Sequence, residues 1–319
     1  MRKYILIATI VIPLLSFGQA NKILRQGLKS TNFNEQIELF TQVIQLEPKN
    51  LDAYFYRGLA KYNLGEYNGA ILDYTKVIFY KPDADTYYNR GNCKFALQDY
   101  VGAKEDYTKA LELNKQLVDA IYNLALTKVY LGEFKEAIMD FDKITNIFPG
   151  DANVYNQKGM AYMELKDYKE AFNNFANSIL LKPDSNAFYT RGIALLSINY
   201  YKEAQADFYK AIQLDRNNLP CYFYAGVTHL FMGEFVPALT AFTESIKFDA
   251  LDFDAYLGLA MTQFKANEKA QAKENFQKAK SIINPNTLNN DTIEIFSNTY
   301  WYKNQSFYFN DIFKELNAL

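Results

Sequence analysis

Apolar residues return along this chain at three- and four-residue spacing, the pattern of helices that bury one face. In residues 51–83, Tyr54, Arg57, Gly58 and Lys61 share one side of a first helix, and Ala70, Tyr74 and Val77 share one side of a second. Gly65 predicts the stop between them, because glycine accepts the left-handed conformation that ends a helix. Pro82 closes the unit, since it lacks an N–H and has a fixed φ. The unit then recurs. Seven alanines stand 33 or 34 residues apart: Ala70, Ala103, Ala137, Ala171, Ala204, Ala238 and Ala272. Four places after each comes an aromatic residue, Tyr74, Tyr107, Phe141, Phe175, Phe208, Phe242 or Phe276. Twelve places before each comes a small one, Gly58, Gly91, Ala125, Gly159, Gly192, Gly226 or Ala260. Two residues without bulk predict a close approach of the paired helices, with aromatic rings filling the space around it. Gly132 and Gly233 repeat the Gly65 stop, and Asn199 and Asn267 suit the same conformation. Pro237 falls in a first helical turn, where proline is tolerated.

The order small–turn–aromatic–Ala–aromatic–Pro in Gly58, Gly65, Tyr67, Ala70, Tyr74 and Pro82 resembles the tetratricopeptide repeat family. Gly159, Tyr168, Ala171, Phe175 and Pro183 repeat it almost completely, and the period agrees. The resemblance covers about residues 21–286, roughly eight repeats, with a degenerate first unit at 21–50 marked by Phe33, Phe40, Val43 and Pro48. Gln36 replaces the alanine there, which suits an end unit. Departures are Lys269 for the turn aromatic, and Lys115, Arg216 and Ala250 where the family favours proline. The resemblance implies an all-α fold, a right-handed α-solenoid of antiparallel helix pairs. The two 33-residue intervals place a one-residue deletion in the turns near 83–85 and 184–186. Residues 287–319 depart from the pattern and predict a C-terminal cap of two amphipathic stretches, near 291–302 and 306–317. Phe296, Tyr300, Trp301, Phe307, Phe309 and Phe313 are expected to cover the end of the last repeat, as terminal repeats require.

Residues 1–20 read differently. Arg2 and Lys3 precede an apolar run from Tyr4 to about Leu15, followed by Ser16, Gly18 and Ala20. That layout predicts a cleavable secretory signal peptide and an exported protein, periplasmic or extracellular. The run is short for a bilayer span, so no stable membrane insertion is expected after cleavage. Without Arg2 and Lys3 the chain holds 32 Lys+Arg against 36 Asp+Glu, with the two signs interspersed. No basic face appears, which argues against a nucleic-acid partner.

Candidate chemistry is sparse. The one histidine, His229, sits mid-helix and reads as a packed side chain. Cys93 and Cys221 lie four repeats apart, beyond disulfide reach in a solenoid, and read as shielded free thiols. No metal-spaced Cys/His cluster, phosphate-cradling glycine loop or serine elbow is present. No catalytic residue, metal or cofactor is therefore expected. Arg57, Arg90 and Arg191 each precede an aspartate by sixteen residues, Asp73, Asp106 and Asp207, which predicts an ion pair between the two helices of each of those repeats. Asp140 stands opposite Leu124, so a fourth aspartate occupies that place without an arginine.

Function is left to surfaces. One step round each first helix from the packed stripe lies a second apolar stripe. In the resembled family it lines the concave face that holds a partner segment. Candidate partner-binding residues on it are Phe55, Tyr62, Tyr88, Asn92, Phe95 and Tyr122, followed by Leu126, Tyr130, Asn156, Tyr189, Phe223 and Phe231. Groove lysines of the kind that clamp a C-terminal carboxylate are largely missing. The expected activity is a non-enzymatic scaffold that binds a peptide or helix of another protein. Two alternatives stay open: a glycan or cell-wall binder using exposed Tyr and Asn, and a noncatalytic subunit of an envelope complex. Packing against the next repeat competes with the groove as an explanation of the stripe.

Overall fold

The computed structural model describes residues 18–283 and 292–319, and every element among them is helical. The expected signal peptide lies outside the described residues up to residue 17, and the expected Asn/Pro loop lies outside them over 284–291. The chain forms two compact units, one ending at Lys166 and one spanning Asp167–Leu319. The first contains α1 (18–29), α2 (Phe33–Leu46), α3 (Leu51–Asn63), α4 (Tyr67–Tyr80) and α5 (Ala84–Ala96). It continues through α6 (Tyr100–Leu113), α7 (Val118–Tyr130), α8 (Phe134–Ile147) and α9 (Ala152–Glu164). The second begins with α10 (Tyr168–Leu181), α11 (Ser185–Ser197), α12 (Tyr201–Leu214), α13 (Pro220–Phe231) and α14 (Phe235–Phe248). It closes with α15 (Phe253–Lys265), α16 (Lys269–Ile283), a 3₁₀ turn at Ile293–Phe296, α17 (Tyr300–Asn304) and α18 (Ser306–Asn317). Within each unit consecutive helices pack as antiparallel pairs, the α-solenoid arrangement that the period predicts.

The close approach rests on a ring laid against a helix backbone. A Cβ on Gly58 would stand 2.9 Å from Tyr74, one on Gly91 2.8 Å from Tyr107, and one on Gly192 2.7 Å from Phe208. Phe242 is gripped from two sides, by Gly226 and Gly258. Gly27 on α1 does the same for Phe40, so the degenerate first unit keeps the contact although Gln36 replaces its alanine. All seven repeat alanines are fully buried, and the aromatics that follow them are at most 3% exposed. Each such ring is worth roughly 2–3 kcal/mol of burial.

Turn chemistry follows the sequence with two additions. Gly65, Gly132, Gly233, Asn199 and Asn267 have positive φ, and so do Gln98 and Lys166. The geometry is therefore imposed by the helix–turn–helix even where the residue is costly. The shortened turns between repeats are residues 81–83 and 182–184, and each ends in an aspartate that caps the next helix, Asp83 on Thr86 N–H and Asp184 on Ala187 N–H. Pro237 lies in the first turn of α14.

The expected ion pairs form. Arg57 Nη2 donates to Asp73 at 2.6 Å, Arg90 Nη2 to Asp106 at 2.7 Å and Arg191 Nε to Asp207 at 2.7 Å, each guanidinium binding both carboxylate oxygens. Lysines one turn along the first helix add a second cation, Lys61 on Asp73 and Lys94 on Asp106. Asp140 needs no arginine because Lys128 and Lys143 hold it. Arg57 and Arg90 also reach the preceding repeat, donating to Thr41 and Thr75 Oγ1. Lys158 does so through Asp142. One side chain thus ties two repeats.

The glycine–ring contact makes a direct prediction. Gly192→Ala should cost about 1–3 kcal/mol, because the new methyl meets a ring with no room to retreat. Gly150→Ala, with nothing within 4 Å, should leave the denaturant midpoint nearly unchanged. Chemical unfolding of the two variants beside the parent measures the difference.

Candidate functional site

The face of interest lies on the first helices of successive repeats. In the first unit these are α3, α5, α7 and α9, which touch one another in sequence. Phe55 is half-buried, with its ring 5.8 Å from Tyr74, and Tyr62 is half-buried against Tyr67 at 5.6 Å. Tyr88 lies 6.0 Å from Tyr107, and Tyr122 lies 6.1 Å from Phe141. Between them sits a polar cluster: Asn92 Oδ1 accepts from Tyr107 Oη at 2.8 Å and from Asn123 Nδ2 at 2.9 Å. Asn92 therefore satisfies the buried phenol of its repeat. At the turn end of the face, Phe95, Tyr100 and Tyr130 form one group. Tyr130 stacks on Tyr100 at 4.8 Å with planes 10° apart, and it stays 60% exposed. Leu126 is half-buried. Asn156 is buried.

The corresponding face of the second unit is covered. Phe223 is only 8% exposed because the C-terminal segment sits on it, with Tyr300 at 5.2 Å and Trp301 at 5.9 Å. Phe231 meets Trp301 at 6.4 Å and Tyr308 at 5.1 Å, and Tyr189 packs against Phe208 and Tyr224. Trp301 is fully buried. Its Nε1 donates to the Asp254 carbonyl at 2.8 Å, and the Tyr300 N–H donates to the Asp254 carboxylate at 2.9 Å. Of the aromatic residues expected at the end of the last repeat, Phe296 stacks on Phe276, with Phe309 and Phe313 beside it. Phe307 is the exception, 91% exposed and outside the cap. The expected stretch at 291–302 is broken into the 3₁₀ turn and α17, whose first turn is capped by Thr299. That break turns Tyr300 and Trp301 onto α13 and α15.

The repeat register allows the two faces to be compared position by position. Ala103, Ala137 and Ala171 are followed 101 residues later by Ala204, Ala238 and Ala272. On that offset Tyr122, Leu126, Val129 and Tyr130 correspond to Phe223, Val227, Leu230 and Phe231, and Met160 to Met261. The first set is half-buried or exposed. In the second, Phe231 is half-buried and the others are buried, Val227 and Met261 completely. The same stripe is thus open in one unit and occupied by the chain's own segment in the other.

The residues set aside as inert behave as packed groups. His229 is 5% exposed, with Nε2 2.7 Å from Tyr209 Oη and Nδ1 2.6 Å from Glu234 Oε2. It stands where earlier repeats carry Lys61, Lys94 and Lys128. Cys93 and Cys221 are buried and free, and desolvation pushes each thiol up to about 12. Among the described residues no three His, Cys, Asp or Glu side chains are grouped to hold a metal ion, and no helix is long and apolar enough to cross a membrane.

Asp254 gives the docked segment a pH dependence. Desolvation, above all, pushes its carboxyl up to about 7, and the neighbouring Asp252 adds to this, whereas hydrogen bonds from Tyr300 and Trp301 and the charge of Lys303 oppose it. Released from the segment, the carboxyl returns toward about 3.9. The docked state then holds the proton more firmly, so docking weakens as pH rises from about 4 to 7 and levels off above. Trp301 is the only tryptophan. Its emission should therefore report a higher denaturant midpoint at pH 5 than at pH 8, and Asp254→Asn should shrink that difference.

Comparison with known proteins agrees with this architecture. The tetratricopeptide repeat model matches residues 84–117, 118–151, 152–185, 185–218 and 254–282, together just over half of the chain. A tetratricopeptide repeat protein from Parabacteroides merdae superposes with a TM-score of 0.61 at 18% identity, over 79% of this chain and 99% of that one. The C-terminal part of a repeat-containing protein from Cytophaga hutchinsonii gives 0.57 at 20% identity, over 76% and 99%. The Cut9–Hcn1 hetero-tetramer of APC/C gives 0.56 at 18%, over 88% of this chain and 54% of that one. At these identities the likeness concerns the fold. No curated protein sequence matches the chain. Its repeats, their packing and the matched residues make it a member of the tetratricopeptide repeat family.

Proposed function

We propose that this protein is a non-enzymatic interaction scaffold that holds a peptide or helix of another protein on the first-helix face of its N-terminal unit. One observation carries the reading: the equivalent face of the C-terminal unit already holds residues 300–308, which are α17 and the start of α18, through Phe223, Phe231 and their neighbours. A stripe that accepts the chain's own segment in one unit and stands open in the other supports a docking role. Its aromatic content supports this, since aromatic anchors in a desolvated groove contribute over about 2 kcal/mol, against about 0–1 for an exposed ion pair. The family's use as a protein-binding fold is in keeping with it. The Arg2–Ala20 layout supports export, so the partner is sought in the envelope or outside the cell.

Tyr122→Ala with Tyr130→Ala tests the reading. Both side chains lie on the open face; Tyr130 is 60% exposed and rests on Phe95 and Tyr100. A denaturant midpoint measured on the double variant separates lost binding from lost fold, since Tyr122 also packs beside Phe141. Affinity capture from envelope extract should retain a protein on the parent chain and lose it on the double variant. Equal retention by both would move the site elsewhere, and retention by cell-wall polysaccharide alone would favour a glycan binder.

A further inference from the structure

The occupied face of the second unit indicates what the open face is shaped to take. Tyr300 and Trp301, adjacent in sequence, both lie against Phe223, whose counterpart in the first unit is Tyr122. Seven residues after Trp301, Tyr308 lies against Phe231 and under the Lys265 ammonium, 6.0 Å from its ring. The counterpart of Phe231 is Tyr130, which is 60% exposed. The counterpart of Lys265 is Glu164, which is exposed at the end of α9. A side chain arriving at the Tyr308 place in the first unit would therefore meet a tyrosine ring and a carboxylate instead of a phenylalanine and an ammonium. Both favour a cation.

Building on the docking reading above, we propose that the Tyr122–Tyr130 face receives a short segment of a partner protein, two helical turns joined by a bend as at Gln305, bearing two adjacent aromatic residues and, seven residues further on, a lysine or arginine. A second copy of this chain is the poorer occupant on two counts. Its own segment is already seated, with Trp301 fully buried, and it brings Tyr308 where the face asks for positive charge. The charge difference makes the choice one of specificity, since an aromatic ring stands at both Phe223 and Tyr122 while the charge at the Tyr308 place differs between the units.

The probe is a fluorophore-labelled synthetic peptide of residues 298–319 carrying W301F and Y308K, titrated into the full chain and followed by anisotropy. W301F leaves Trp301 of the protein as the sole tryptophan, so its emission reports any displacement of the native segment. The Y308K peptide is expected to bind more tightly than its Tyr308 counterpart, with no change in Trp301 emission. Tyr130→Ala should weaken it about tenfold or more, and Glu164→Lys should reverse the preference in favour of a Y308E peptide. Three results overturn the proposal: no binding, binding indifferent to Y308K, or binding that shifts Trp301 emission and ignores Tyr130→Ala. A companion peptide with leucine at both aromatic positions separates the two readings. If it binds as well as the aromatic one and depends on Tyr130, the aromatic class falls and the docking face stands.

Discussion

A ring pressed onto a helix where no Cβ intervenes is the contact on which this protein depends. It sets how near two helices of a pair can lie, and that distance brings the polar groups above the ring into reach. Arg57 meets Asp73, Arg90 meets Asp106 and Arg191 meets Asp207 because the helices beneath them are drawn together. The aspartates are nearly buried, so their cations are needed there rather than decorative; an unpaired carboxylate at that depth would be costly. Because the contact recurs every 33 or 34 residues, each unit builds a row of first helices with one face sealed by rings and another left over.

What happens to the remaining face distinguishes the two units. In the C-terminal unit the chain folds back on itself: the 3₁₀ turn and Thr299 redirect it, and Tyr300, Trp301 and Tyr308 cover the stripe of α13 and α15. In the N-terminal unit the same register positions carry Tyr122, Leu126 and Tyr130 with solvent access. The polar cluster of Asn92, Asn123 and Tyr107 replaces what is Ile193, Tyr224 and Phe208 three repeats later. The Tyr107 repeat thus carries a hydrogen-bonded floor that its Phe208 counterpart does without, whereas the buried Tyr74 hydroxyl has no such partner.

Much of this was readable in the residues, because a repeat states its packing seven times. The alanines, the rings and the small residues facing them announce both helices, and the sixteen-residue Arg–Asp spacing announces the ion pairs. Features outside the period were less legible. Lys61 and Lys94 joining the same aspartates requires knowing that one more helical turn still points at the second helix. Positive φ at Gln98 and Lys166 is imposed by neighbours, since neither residue favours it. Gly27 serving Phe40 was hidden because the first unit lacks the alanine that marks the others. The seat of Trp301 was hardest: its partner Asp254 is 47 residues away with no periodic relation, and the aromatic residues of 296–313 look alike whether they cap an end or lie along a face.

The central claim is that equivalent positions are open in one unit and sealed by the chain's own segment in the other. Hydroxyl-radical footprinting of the folded full chain tests it most directly. Tyr122 and Tyr130 should oxidise readily while Phe223 and Trp301 are protected. Comparable oxidation of the two sets, or protection of Tyr130 to the level of Trp301, would contradict it.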